Sequence, residues 1–144
     1  MGIRRRVAAG GAGRRVAVFR EVLRMLVSEG GENYAVFTAR VYRGAILRKG
    51  VEFFIQFSGR RGATRVLMDV PLARLCREEA LRLREILMDY PSWSPVVVRD
   101  VEGCITSVSG YVDPSEAAEI AERIFREVFE LPGNYSVEIE VGLG

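Results

Sequence analysis

Residues 96 to 129 constrain the fold more than any other stretch, because they read without a break as strand, reversal, strand and capped helix. Val96-Val97-Val98 opens an apolar run, Glu102-Gly103 supplies the reversal, and Ile105 to Val112 runs back. Asp113-Pro114-Ser115-Glu116 then carries the signals of a helix start. The Asp113 carboxylate can accept from free N–H groups, Pro114 stands where a missing donor costs nothing, and Glu116 completes a capping box. Ala117, Ile120, Ala121, Ile124, Phe125 and Val128 recur at helical spacing and form the inward stripe. Glu119, Glu122, Arg123 and Arg126 take the outer face, where Glu119 with Arg123 and Glu122 with Arg126 are each four apart and can pair.

Upstream, Phe19, Val22, Leu23, Leu26 and Val27 predict a helix over 14–29, closed by Gly30-Gly31. Three strands follow, over 34–42, 51–58 and 64–70. Val51, Phe53, Ile55 and Phe57 alternate with Glu52, Gln56 and Ser58, and Val66, Met68 and Val70 alternate with Arg65 and Asp69. Gly59-Arg60-Arg61-Gly62 is the hairpin turn between the last two. Such alternation buries one face of the meander and leaves the other wet or covered by something else. Pro71 is expected to open a second helix, capped by Asp69. Its stripe is Leu72, Leu75, Cys76, Ala80, Leu83, Ile86, Leu87 and Tyr90, and Pro91 stops it. Trp93, in the Pro91 to Pro95 loop, plugs the core edge. After Pro132-Gly133-Asn134, Tyr135, Val137, Ile139 and Val141 alternate with Ser136, Glu138 and Glu140 in a last strand suited to a sheet edge. The expectation is α+β with a mainly antiparallel sheet in the order α-β-β-β-α-β-β-α-β.

A chain of 144 residues suits one domain, assigned to 14–144. Residues 1–13, with Arg4-Arg5-Arg6 and Gly10-Gly11-Ala12-Gly13, are assigned to a flexible basic arm, since glycine is entropically costly to order. The glycines are no phosphate loop, because the Lys-Ser/Thr that reaches phosphate and metal is missing and no strand is predicted before them. Only Val7-Ala8-Ala9 follows the arginines before Gly10, and no run reaches the roughly 18 apolar residues that span a bilayer. A cytoplasmic protein with no membrane contact is therefore expected.

Charge is distributed unevenly. Residues 1–77 carry sixteen Arg or Lys and five Asp or Glu, whereas residues 78–144 carry five and fourteen. Nearly all the cations are Arg, Lys49 being the single lysine. Such polarity suits an acidic face meeting a basic one, within the molecule, between subunits or on a polyanion. Arg4, Arg5, Arg6, Arg40, Arg43, Arg48, Lys49, Arg60, Arg61 and Arg65 are the candidate contacts to a polyanion or partner, with Tyr34 and Tyr42 as stacking surfaces.

The chain has no histidine, which removes the commonest general base and metal ligand. Two isolated cysteines, Cys76 and Cys104, make no zinc site and are expected as buried thiols. A disulfide between them would require the second helix to pack over the Cys104 strand. Glu78-Glu79 and Glu138/Glu140 fall where a solvated helix face and an edge strand place acids, so no pair of carboxylates is set in opposed environments. No catalytic residue, cofactor or metal is assigned.

Two segments carry a resemblance. "LVSEGGENYAVF" leads from the first helix into the first strand. "ILMDYPSWSPVVVRDVEGCITSVSGYVDPSEAAEIAERIFREVF" passes from the second helix through the hairpin to the third helix. Over about residues 14–130 the chain resembles the type III secretion chaperone-like fold, including the YbjN-like family, in element order and hydrophobic rhythm. It departs in the basic arm and in the strand after Pro132. The resemblance implies a non-enzymatic, dimeric, polypeptide-binding module and transfers no site residue. Hence the functional expectation is a non-catalytic protein- or polypeptide-binding module, chaperone-like, working as a homodimer or on another protein. The alternatives are a nucleic-acid-binding protein using the arm and the Arg-bearing loops, and an enzyme built on Asp69, Asp100 or Cys104.

Overall fold

Alternation decides which way each strand faces, and here it builds one sheet with two unlike faces. The computed structural model describes residues 2–7, 11–42, 50–75, 78–102 and 104–144, with 2–7, 41–42, 50–51 and 73–75 described by backbone alone. The strands are β1 (Gly2–Val7), β2 (Glu32–Tyr42), β3 (Gly50–Arg60), β4 (Val66–Leu75), β5 (Ser94–Val101), β6 (Cys104–Val112) and β7 (Val137–Leu143). The helices are α1 (Ala12–Ser28), α2 (Glu78–Met88) and α3 (Pro114–Arg123), and α3 continues as a π-helical turn over Ile124–Val128. All strand pairs are antiparallel, in the spatial order β1-β7-β2-β3-β4-β6-β5. From residue 14 onward the expected α+β element order is the one found.

Ala35, Phe37, Ala39, Ile55, Phe57, Val66, Met68, Val70, Val108, Val112, Val137, Ile139 and Val141 share the inner face. They pack in one cluster with Phe19, Leu23 and Leu26 of α1, Leu83 and Ile86 of α2, and Ile120 and Phe125 of α3 and its extension. Phe19 stacks on Phe37 with ring centroids 4.6 Å apart, in the offset range that aromatic pairs prefer. The π turn is bonded from the Phe129 N–H to the Ile124 carbonyl at 3.0 Å. It brings Phe129 over Phe53, centroids 4.6 Å apart.

The core contains one ionic cluster. Arg15 is fully buried; its Nε donates to Glu122 Oε2 at 2.9 Å and its Nη2 to Glu122 Oε1 at 2.6 Å. Its Nη1 donates to the Tyr135 carbonyl at 3.2 Å, and the guanidinium lies 4.0 Å from the Tyr135 ring centroid. The Tyr135 hydroxyl donates to Glu122 Oε2 at 2.6 Å. Burial, reinforced by the hydrogen bond to Glu122, raises the Tyr135 pKa, and the Glu122 hydrogen bond raises that of Arg15. Glu122 therefore faces the core, not solvent, and pairs with α1 instead of Arg126. Arg123 reaches Glu127 and Asp89, both at 2.8 Å, instead of Glu119.

Six other expectations give way. Residues 2–7 form β1, with Arg4 opposite Glu140 and Arg6 opposite Glu138 in the register, and Ala12 and Gly13 belong to α1. The alternating acids of β7 make a template matched in charge to alternate arginines, which a chain read alone does not show. β7 is accordingly interior to the sheet, and the edges are β1 and β5.

Pro71 lies within β4, not at a helix start. It stands beyond the last β3–β4 pair, Gln56 with Asp69, where a missing N–H costs no bond on that side. Asp69 accepts from Ser109 Oγ at 2.7 Å rather than capping a helix, and α2 begins at Glu78.

The capping box at α3 is also rewired. The Asp113 side chain makes no cap bond; the Asp113 N–H donates to Ser92 Oγ at 2.9 Å. Ser92 then donates through its N–H and Oγ to Glu116 Oε1, at 3.1 and 2.5 Å. A serine of the loop before β5 thus completes the helix cap. Cys104 is disulfide-bonded rather than a free thiol; Cys76, the other cysteine of the chain, lies outside the described residues.

Two measurements check this. Glu122→Ala strands the Arg15 charge in the core and lowers unfolding free energy by about 3–5 kcal/mol in a urea titration. Because Tyr135 ionises more readily in the unfolded chain, its contribution is complete below about pH 10 and declines as pH rises above that value. Tyr135→Phe should flatten that alkaline decline. Ser92→Ala should cost about 1–3 kcal/mol and exceed the loss from Asp113→Ala, the reverse of a direct capping box.

Candidate binding surface

Among the described residues, no element is layered over the face of the sheet turned away from the helices. The register lines its residues into rows that cross the strands. One row runs Glu140, Val36, Gln56, Asp69, Ser109 and Val97. The next runs Gly142, Tyr34, Ser58, Leu67, Tyr111 and Ser94. Between β2 and β5 these rows form a trough of about 690 Å³, with Arg99 and Ser107 at its β5–β6 end. Its lining mixes apolar Val36, Leu67 and Val97 with the hydrogen-bonding groups of Gln56, Ser58, Ser107 and Ser109.

Tyr34 and Tyr111, 44% and 42% exposed, stand on this face. Tyr34 lies across Gly142, where a Cβ would collide with its ring, so glycine there is what lets the tyrosine lie flat. The Arg65 guanidinium sits 5.6 Å from the Tyr111 ring centroid and donates to Ser94 Oγ at 3.0 Å.

A second depression, about 730 Å³, opens on the helix side between α2 and the β5–β6 hairpin. It is predominantly apolar, with Leu83, Leu87, Met88, Trp93, Val98 and Ile105 among its walls. Trp93 is half-buried against the core, as expected of a plug, and occupies the space above Gly110, where a Cβ would lie 2.5 Å from the ring. β5 forms its rim. Val96, Val97, Val98 and Val101 are 42–58% exposed, and Met88 is 73% exposed.

The candidate contacts that fall among the described residues do not gather into one patch. Arg40 pairs with Glu52, and Arg60 pairs with Glu32 at 3.2 Å. Arg61 is exposed at the β3–β4 turn. Arg4, Arg5 and Arg6 run along the β1 edge, across the sheet from Arg65. Arg43, Arg48 and Lys49 lie outside the described residues. Asp69, Asp100 and Cys104 occupy three different strands, and among the described residues no group of three or more His, Cys, Asp or Glu is placed to hold a metal ion.

Sequence reasoning did not find the β5 edge or the trough. Three consecutive valines read only as the start of an apolar strand, and such a run does not distinguish a strand inside a sheet from an edge. The trough had a weaker signal: its polar positions are the off-phase residues of strands whose other phase is core.

The fold and surface thus define an α+β protein with helices on one face of an antiparallel sheet and a mixed polar and apolar trough on the other. No family model matches this chain, and neither a curated protein nor a solved structure matches it. Among the described residues no helix is long and apolar enough to cross a membrane.

Proposed function

We propose that this chain is a non-catalytic polypeptide-binding module, chaperone-like in its use of exposed sheet surface, that works as a homodimer paired through β5. One observation carries the reading: among the described residues, five of the eight exposed large apolar side chains, Met88, Val96, Val97, Val98 and Val101, sit on or beside β5, an edge of the sheet. Apolar side chains gathered on an open edge strand invite pairing with another chain. Val97 to Val101 runs without an inserted residue on β5, the irregularities lying at Val96 and opposite Thr106. The resemblance to the type III secretion chaperone-like fold, with its YbjN-like family, supports the same reading, and so does a lining that offers hydrogen bonds and apolar contact together. A cytoplasmic setting belongs to this proposal.

Symmetry narrows the register. A two-fold axis normal to the sheet pairs one residue of an edge strand with its own copy. Centred on Arg99 or Asp100, it would set like charges opposite each other, which is unfavourable. Centred on Val98, it joins two valines on the helix side and brings the two apolar depressions together. Size-exclusion chromatography with light scattering should give a dimer for the wild type and a monomer for Val98→Lys. A wild type that stays monomeric at high concentration would count against the dimer.

A second reading, binding of single-stranded nucleic acid, is favoured by Arg65 over Tyr111 with Tyr34 exposed in the same row. Under that reading a labelled oligouridine is retarded at low salt, affinity falls steeply as salt rises, and Arg65→Ala with Tyr111→Ala weakens it. Absence of retardation at low salt removes this alternative.

A further inference from the structure

We infer that the open-face trough is a site for an extended polypeptide segment that carries a basic and an acidic side chain about four residues apart. The inference rests on the reading of the chain as a polypeptide-binding module and names the chemistry of the segment it takes. It does not depend on the dimer.

Three features of the trough lead there. First, its shape follows the rows across the strands. From β2 to β5 is four strand spacings, roughly 19 Å, close to the span of six extended residues. A segment laid this way crosses the strands and cannot add to their ladders, so its amides must be met by side chains. Gln56, Ser58 and Ser107 line the trough and have no side-chain hydrogen bond among the described residues, so they are available to do so. Val36, Leu67 and Val97 alternate with them as apolar seats.

Second, the trough is polar in the electrostatic sense. Asp69 lies on β4, half-buried, held by the 2.7 Å bond from Ser109. That bond uses one oxygen and leaves carboxylate acceptor capacity toward the trough. Arg99 lies on β5, exposed, with no ion-pair partner among the described residues. The spatial order β4-β6-β5 separates the two by two strand spacings, about 10 Å, and Arg99 lies two residues along β5 from Val97, the residue in line with Asp69, a further roughly 7 Å, for about 12 Å in all. In an extended segment two side chains on one side at about that distance are four residues apart.

Third, the balance of charge selects a polypeptide over a polyanion. A phosphate backbone presents one sign throughout and would be repelled at Asp69. A segment with opposite charges at the stated spacing meets both groups at once, and reversing its polarity sets like charges opposite at both ends. The site therefore reads direction as well as composition.

The test uses the full chain and two fluorescently labelled decapeptides. Both have a serine–valine background; one has lysine four residues before glutamate, and the other has the two exchanged. An oligouridine is the third probe. Fluorescence polarisation should show one polarity bound at least about tenfold more tightly than the other, a ratio that corresponds to 1.4 kcal/mol. Arg99→Asp, on the exposed edge, should abolish that preference, and Asp69→Asn, which keeps an acceptor for Ser109, should reduce it. Arg99→Asp combined with Asp69→Arg should favour the opposite polarity, a result that a merely structural role cannot give. Equal affinity for the two peptides, with an unfolded carboxymethylated protein still bound, overturns this inference and leaves the broader reading standing. Binding of neither peptides nor unfolded protein overturns both. Preference for the oligouridine overturns both in favour of nucleic acid.

Discussion

Seven antiparallel strands offer two faces, and the helical residues of this chain cover one of them. The inner face is built of Ala, Val, Ile, Met and Phe and closes into one cluster with α1, α2 and α3. The outer face mixes Tyr34, Val36, Gln56, Ser58, Leu67, Asp69 and Ser109, which is too polar to demand a second helical layer and too apolar to be an inert solvated surface. The binding readings proposed above rest on that inequality. The covered face holds the strands in register, and the register in turn brings residues from six strands into rows on the opposite one.

What holds the covering layer in place is partly ionic. Arg15 joins α1 to α3 through Glu122 and to the approach to β7 through the Tyr135 carbonyl and ring. A buried pair of this kind adds little net stability over an apolar replacement, but each member is costly to strand alone. Its effect is to fix which face of α1 meets which face of α3. Asn33 acts similarly at the other end of α1, where its Nδ2 donates to the Leu26 and Glu29 carbonyls at 2.8 and 2.6 Å and its Oδ1 accepts from the Gly144 N–H at 3.1 Å. The β7 segment is thus tied at its far end, through Gly144 and Asn33, to the end of α1, and at its approach, through Tyr135, to Arg15 of α1 and Glu122 of α3.

Much of this was legible in the chain, and the failures share a cause. Phe53, Ile55 and Phe57, or Val66, Met68 and Val70, alternate because each strand has one wet face, and local alternation needs no knowledge of partners. Leu72, Leu75 and Cys76 happen to match a helical spacing, so Pro71 was read as a helix start. Only the end of β3 pairing at Asp69 shows why a proline is tolerated in β4. Glu122 looked like a surface residue because the cation that neutralises it is 107 positions away. Residues 2–7 read as a loose arm because the acids opposite Arg4 and Arg6 in the register belong to the last strand. The trough suffered in the same manner: Gln56, Asp69, Ser109 and Val97 become neighbours only through three successive strand pairings.

The unequal halves of the chain find part of their explanation in the same long-range pairing. Arg15 with Glu122, and the register of Arg4 and Arg6 against Glu140 and Glu138, set basic residues of the first half against acids of the second within one molecule. That leaves the two sheet edges with opposite character. β1 brings three successive arginines to one edge, a device that discourages a further strand from adding there. β5 brings Val96-Val97-Val98 and Val101 to the other, with Arg99 and Asp100 adjacent and opposite in sign. An edge carrying arginines and an edge carrying valines, on one sheet, favour β5 over β1 for the pairing proposed above. On β5, Val98 faces the apolar depression under α2, while Val97 and Arg99 face the trough. Pairing at β5 would therefore bury the helix side and leave the trough open on the opposite face, so that assembly and recognition use different faces of one strand.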